Sequence, residues 1–397
     1  MESEDYCKVL QRYRVMKWKA VRVAQTLGAA VAVLIVSVCV GSGGVANAQE
    51  AGGASFHLPY VLVEFAHNAS GLSQPEVVSP SGTVIVNSAG VIENPLAGRV
   101  GSLTETDGLQ EAVDYAVATG EDVYIEGGYA LSRSSGRFNN NVYFLNKTLV
   151  IPPAQDFRID GGESVINYNP LTGNAITINS CEDCHFRFGV VVTGGSDAAA
   201  VAFDPTQPTE VDGIRVVTDS TFRFSSIATN RPVGTSLAAI ELAPSSGAGS
   251  ILWNTIDATA TVGFQYNLYT EGLSSSAGVF NNQIVSGHNH QATKALAYIG
   301  RFTSGNRFTL NDSSNGFSKT GVVSYGSNND YVLQSDAGVA PGQDIVFEKG
   351  STGNLVEAVG PFSCTDYNPG RENVVIAAAS SAATGRAGGE CDGGRRA

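Results

Sequence analysis

Ile176-Thr177-Ile178 opens a series of apolar-x-apolar runs that continues with Ile214-Arg215-Val216, Ile240-Glu241-Leu242, Phe264-Gln265-Tyr266, Ala297-Tyr298-Ile299, Gly321-Val322-Val323 and Ile345-Val346-Phe347. From first residue to first residue the steps are 38, 26, 24, 33, 24 and 24. A second series trails the first: His185-Phe186-Arg187-Phe188, Thr221-Phe222-Arg223-Phe224, Ile251-Leu252-Trp253-Asn254, Val279-Phe280-Asn281-Asn282, Asn306-Arg307-Phe308-Thr309-Leu310, Tyr331-Val332-Leu333 and Asn354-Leu355-Val356. Gly, Ser, Asn or Asp precede most of its members, as in Ser304-Gly305-Asn306. Two interleaved strand series with a period in the mid-twenties describe the coils of a solenoid. One coil is too small to bury its own apolar face, so coils stack and the strand of each pairs with the next.

Strand alternation points the flanking residues of each run inward and its middle residue outward. Ile178, Ile214, Ile240, Leu242 and Ile299 are therefore expected in the core. The longer steps carry insertions, expected at Asp197–Asp212 and Ser286–Lys294. A β-sandwich also has short alternating strands. The regular spacing and the rarity of hairpin turns such as Asn-Gly favour an all-β parallel β-helix.

Ahead of the coils, Thr104-Glu105-Thr106-Asp107-Gly108-Leu109-Gln110-Glu111-Ala112-Val113-Asp114-Tyr115-Ala116 has an N-cap candidate and apolar residues at helical spacing. A helix over about 104–119 ends at Gly120, and Val123-Tyr124-Ile125 leads to Gly127-Gly128-Tyr129. With Thr148-Leu149-Val150-Ile151-Pro152 and Phe157-Arg158-Ile159-Asp160-Gly161-Gly162, this stretch resembles the opening of the pectate-lyase-like superfamily, which includes viral tailspikes. The resemblance is close from Leu103 to about Tyr168 and continues through the repeat alone. It departs at Gly101-Ser102-Leu103-Thr104-Glu105, where such openings read Gly-Asp-Gly-x-x-Asp-Asp. It implies a right-handed parallel β-helix whose helix plugs the open end of the solenoid. It does not carry an activity, because the superfamily holds lyases, hydrolases, epimerases, adhesins and non-catalytic spikes.

Lys8, Arg12, Arg14, Lys17, Lys19 and Arg22 precede the 14-residue apolar run Leu27–Val40 and the small-residue site Ala46-Asn47-Ala48. That order reads as a secretory signal peptide over 1–48, with Gln49 the first mature residue. An uncleaved, membrane-tethering anchor is the alternative, although the run is shorter than the roughly 20 residues of a spanning helix. The division expected is 1–48 leader, 49–98 an extension with strands near Tyr60–Phe65 and Thr83–Val86, 99–362 the β-helix, and 363–397 a tail, loose from Ala377 onward.

The leader takes six of 24 Lys/Arg and three of 37 Asp/Glu, so the mature chain carries a net charge near −16. Such a polyanion repels a phosphate backbone, and nucleic acid is not expected as a partner. An extracellular polysaccharide or other glycan is, with the protein secreted, periplasmic or on the cell surface. Cys181, Cys184, Cys364 and Cys391 remain after processing and allow three pairings. Cys181-x-x-Cys184 lacks the second pair of a zinc site and reads as a structural disulfide or buried thiols.

Polygalacturonase-like relatives would carry an Asp-Asp pair and Gly-His-Gly. Gly287-His288-Asn289-His290 comes nearest and does not fit. In pectate lyases, aspartates hold calcium and an Arg acts as base on one outer face. The corresponding face here is the row of middle residues: Thr177, Arg215, Glu241, Gln265, Tyr298, Val322 and Val346. Arg215 and Glu241 on neighbouring coils are the candidate catalytic pair, Glu241 as acid or base and Arg215 as charge stabiliser. Tyr298, Gln265 and Thr177 are the candidate substrate contacts. A surface ion pair among ordinary polar residues is the plain alternative. No cofactor is expected; Asp197, Asp204, Glu210 and Asp212 offer oxygens for calcium but lack a tight D-x-D-x-D-G spacing. The leading expectation is a β-helix that binds or processes an extracellular polysaccharide, by lyase or hydrolase chemistry. The other is a non-catalytic surface adhesin or structural solenoid.

Overall fold

From Leu149–Ile151 to Thr303–Ser304 each coil turns through three strands. Ile176–Ile178, Cys181–Glu182 and His185–Thr193 are followed by Val201–Phe203, Val216–Thr218 and Thr221–Thr229, then by Ala238–Leu242, Ser250–Leu252 and Thr255–Val262. Tyr266–Thr270, Val279–Phe280 and Gln283–His290 continue the pattern. First strands pair in parallel with first strands, second with second, third with third. The result is three long sheets of 10, 6 and 14 strands, parallel through the coils and antiparallel only at the N-terminal strands Tyr60–His67, Ser73–Val78 and Val84–Val86, in the arrangement of a β-helix solenoid. The computed structural model describes residues 60–67, 73–127, 130–131, 138–139, 142–209, 213–312, 320–335, 343–359, 362–368, 372–378 and 392–393. The leader 1–48, Cys391, Glu210 and Asp212 lie outside them.

The corner between the six-stranded and 14-stranded sheets is built the same way in every coil. Asp156, Asp183, Asp219, Trp253, Asn281, Gly305, Asn328, Gly353 and Glu372 each have φ between 51° and 68°. One left-handed residue turns the chain sharply, and Asp, Asn and Gly accept that conformation most readily. The residue after it points inward. From Asn254 on it is always asparagine: Asn254, Asn282, Asn306, Asn329, Asn354, Asn373. Each Nδ2 donates to the next Oδ1, at 2.9, 2.9, 3.1, 3.4 and 2.9 Å. In the earlier coils the core beside the corner is the apolar column Phe157–Phe186–Phe222, and the ladder then runs beside Phe308–Tyr331, the rings of both columns lying 5.2–5.7 Å apart.

The helix is Leu109–Thr119, shorter than the expected span. Residues 104–108 form its entry turn, where the Thr104 and Thr106 hydroxyls donate to Glu111 Oε2 at 2.8 and 2.9 Å. Leu109, Ala112, Val113, Tyr115 and Ala116 form its buried face. Gln110 meets the first strand of the ten-stranded sheet: its Nε2 donates to Val150 O and its Oε1 accepts from Val150 N, both at 2.8 Å. A side-chain amide thus occupies the hydrogen bonds that an added strand would take, and blunts the sheet edge.

Several expectations need correction. The spacing suggests two strand series; there are three, because the six-stranded sheet uses strands of only two or three residues. Ile251–Leu252 and Val279–Phe280 belong to that sheet, and their places in the 14-stranded sheet go to Thr255–Val262 and Gln283–His290. Ile178, Ile240, Leu242 and Ile299 are fully buried, whereas Ile214 sits half-buried in the loop before Val216–Thr218. The stretch 197–212 is not one insertion, since Val201–Phe203 is a full rung. Ser286–His290 is strand rather than loop, which places His288 and His290 on the 14-stranded sheet. Tyr60–His67 pairs in parallel with Asp122–Ile125, so the extension joins the same sheet. Phe362–Asp366 and Val374–Ala378 add further rungs where a tail was expected. Cys181 and Cys184 form a buried disulfide, and Cys364 is disulfide-bonded as well.

Candidate functional site

The outward row of the ten-stranded sheet runs, rung by rung, Val150, Thr177, Ala202, Glu241, Tyr269, Tyr298, Val323, Val346. Parallel pairing places successive members near the interstrand spacing of about 4.8 Å. That spacing suits flat rings. Tyr269 and Tyr298 stack at 4.9 Å between centroids with planes 7° apart. Tyr266 leans on both, at 5.7 Å from each, and Tyr325 lies 5.7 Å from Tyr298 on the other side. The Lys294 ammonium sits 5.4 Å above the Tyr266 ring, in cation–π geometry. On the Ala202 side the surface is floored by the small side chains of Ala199, Ala202 and Ala238, packed against Leu237, Tyr266 and Tyr269.

Thr177, Glu241, Tyr298 and Val346 stand where the sequence places them. Arg215 does not. It lies in the loop before Val216–Thr218, on the six-stranded side of the corner, and its Nη1 donates to Ser246 Oγ at 3.3 Å. The rung beside Glu241 is Val201-Ala202-Phe203, so Ala202 occupies the place expected for Arg215. Gln265 precedes its strand, Tyr266–Thr270, and its Nε2 is 3.5 Å from Asp197 Oδ1. Tyr269 takes its place on the row. Val322 is buried, and Val323 faces outward. The aromatic members that sequence reasoning missed are Tyr266, Tyr269 and Tyr325. The signal for Tyr269 was Leu268-Tyr269-Thr270, hidden because its inward flank is a buried threonine rather than an apolar residue.

Three carboxylates border the stack. Burial raises the Glu241 carboxyl above its ordinary 4.5, and the Asp204 charge adds to the rise. Asp204 itself accepts from Ser245 N at 2.7 Å and from Ser245 Oγ at 2.8 Å. Burial also raises Glu271, against the opposing pull of the Arg301 backbone N–H, the Tyr298 hydroxyl and the Arg301 charge. Gly300 makes room for that carboxylate, since a Cβ there would fall 2.1 Å from Glu271 Oε2. Burial, then the Glu271 and Glu241 charges, push the Tyr269 phenol up to about 12. Tyr266 and Tyr298 shift the same way, so the ring hydroxyls stay protonated and can donate hydrogen bonds.

The raised Glu241 carboxyl has a consequence for stability. A carboxyl whose pKa is higher in the folded state binds more protons there than in the unfolded chain. Its contribution is full below 4.5 and is lost as pH rises through the folded value. Thermal unfolding midpoints of the native chain should fall across that window, and those of Glu241→Gln should fall less. Parallel curves for the two proteins would contradict the assignment.

Among the described residues, no group of three or more His, Cys, Asp or Glu is arranged to hold a metal ion. Of the acids expected to offer calcium a site, Asp204 is held by Ser245 and Asp197 lies near Gln265. In comparisons with known proteins, the chain matches no family model, no curated sequence and no solved structure.

Proposed function

We propose that this chain is an exported, right-handed β-helix of the pectate-lyase-like type, closed at its N-terminal end by the helix Leu109–Thr119, and that it binds an extracellular glycan along the outer row of its ten-stranded sheet. The observation that carries this reading is the tyrosine stack. Four tyrosines on three successive rungs, all half-buried and joined by ring-to-ring contacts, line up their ring edges and hydroxyls along the row. A pyranose chain offers the complement, with hydroxyls to bond with the phenols and C–H groups to lie against the ring edges. Rungs repeat along the solenoid axis, so the platform suits a polymer lying along that axis.

The reading is of binding rather than bond cleavage. Cleavage rested on Arg215 and Glu241 standing side by side, and they do not. A carbohydrate-binding surface or secreted solenoid accounts for the residues that do face the row. Nucleic acid is set aside on the net charge.

Equilibrium binding of the exported protein to a panel of neutral, acidic and amino-bearing oligosaccharides tests the proposal, with reducing-end release and unsaturated-uronate absorbance followed on the same samples. At least one oligosaccharide should bind with Kd below about 1 mM, and none should be cleaved. Failure of every glycan to bind at that level would overturn the reading. Turnover abolished by Glu241→Gln would overturn its non-catalytic part.

A further inference from the structure

The tyrosine platform has a charge pattern that restricts what it can hold. The row itself, from Val150 to Val346, contains no Lys or Arg. The charges beside Tyr269 are Glu271 and Glu241, with Asp204 next to Glu241; Arg301 faces Glu271, and Lys294 sits over Tyr266 at the margin, so the middle of the platform is acidic. A uronate chain would set its carboxylates against these acids, and like charges brought together in a partly desolvated site repel and weaken binding. No group of three ligating side chains stands ready among the described residues to bridge such a chain through a cation.

The same face is complementary to a positive charge. The Glu241 carboxylate is half-buried, and no hydrogen bond to it is formed among the described residues. A desolvated carboxylate is stabilised by an ammonium partner. The tyrosine rings supply negative π faces at the same place. The protein already shows the arrangement once, with its own Lys294 ammonium seated over Tyr266.

We infer that the glycan is an amino-sugar polymer carrying free amines, whose ammonium groups are received between Glu241 and Tyr269 while the sugar rings lie along the ring edges and hydroxyls of the stack. This assignment rests on the glycan-binding reading and narrows it to one chemical class. Discrimination comes from both signs of interaction: the ammonium gains Glu241, and an N-acetyl or uronate group at the same place does not.

The test uses the full exported chain with three probes in weakly acidic buffer: a glucosamine hexasaccharide, its fully N-acetylated counterpart and a galacturonate hexasaccharide. The glucosamine probe should bind about tenfold tighter than the N-acetylated one, the difference expected of one partly desolvated ion pair. Glu241→Gln should weaken the glucosamine probe about tenfold and so abolish that preference. Glu357→Gln, an exposed carboxylate on the 14-stranded sheet, controls for diffuse attraction of a cationic probe to an acidic protein and should change nothing. Equal losses from the two variants would overturn the assignment, as would tighter binding of the N-acetylated or galacturonate probe. If all three probes fail while another glycan of the wider panel binds and Tyr298→Ala weakens it, the amine assignment falls and the platform stands. If the whole panel is silent, both fall.

Discussion

Asn306→Ala should lower the unfolding free energy by about 2–4 kcal/mol, the cost of stripping partners from two or more buried polar groups. Asn306 is buried at 1 % exposure. Its Nδ2 donates to Val279 O at 2.9 Å, Ser304 O at 3.1 Å and Asn329 Oδ1 at 3.1 Å. Its Oδ1 accepts both Asn282 N and Asn282 Nδ2, each at 2.9 Å. Alanine leaves the Asn282 backbone N–H without its acceptor in a place water does not reach, and frees the carbonyls of Val279 and Ser304. The neighbouring Arg307 is exposed, and Arg307→Ala should stay within about 0.5 kcal/mol. Because Asn282 and Asn306 share bonds, the double variant should cost less than the sum of the singles. Denaturant midpoints check all three. Equal midpoints for Asn306→Ala and Arg307→Ala would mean the ladder does not bear on stability.

Phe222→Ala should cost about 3–5 kcal/mol, the range for deleting a ring from a packed core. Phe222 is fully buried. Its ring meets Phe186 edge-on at 5.3 Å within the 14-stranded sheet and Phe203 edge-on at 4.8 Å from the ten-stranded sheet. The cavity would therefore open between two sheets that each hold the other in place, where collapse is difficult. Arg223, the next residue, points outward, and Arg223→Ala should cost no more than about 0.5 kcal/mol. Denaturation that found Arg223 the costlier of the two would place the strand one residue out of register, since a slip exchanges the faces.

The parallel β architecture was legible in the sequence because its longest strands alternate cleanly. His185–Phe188, Thr221–Phe224 and Arg307–Leu310 carry two inward apolar residues each, and all three fall in the 14-stranded sheet. The six-stranded sheet was not legible, since Cys181–Glu182 or Thr303–Ser304 is too short to show a period. Val201-Ala202-Phe203 stands 25 residues after Ile176, within the 24–26 range of the shorter steps, but its small middle alanine hides it among the flanking alanines, and skipping it sets Arg215 beside Glu241. A local irregularity added to the difficulty, as Ala239 and Ile240 both face the core on the strand that carries Glu241. The left-handed corners were written in plain view as Asn281-Asn282, Gly305-Asn306, Asn328-Asn329 and Gly353-Asn354. Recognising them needs the knowledge that asparagines one coil apart can hydrogen-bond in a column. Of the site, Thr177, Glu241 and Tyr298 were legible from alternation alone. Tyr269 was not, because its inward neighbour Thr270 satisfies itself on Thr303 rather than by apolar packing.

Hydroxyl-radical footprinting reads glycan contact with the tyrosine row residue by residue. The protein is exposed to radicals with and without a saturating concentration of the tightest-binding oligosaccharide of the panel, and side-chain oxidation is quantified by mass spectrometry. Oxidation of Tyr266, Tyr269 and Tyr298 should fall several-fold on binding. Tyr124, exposed on the outer face of the 14-stranded sheet, should oxidise equally in both samples. Unchanged oxidation of the three row tyrosines under saturation, with protection appearing on another face, would contradict the account.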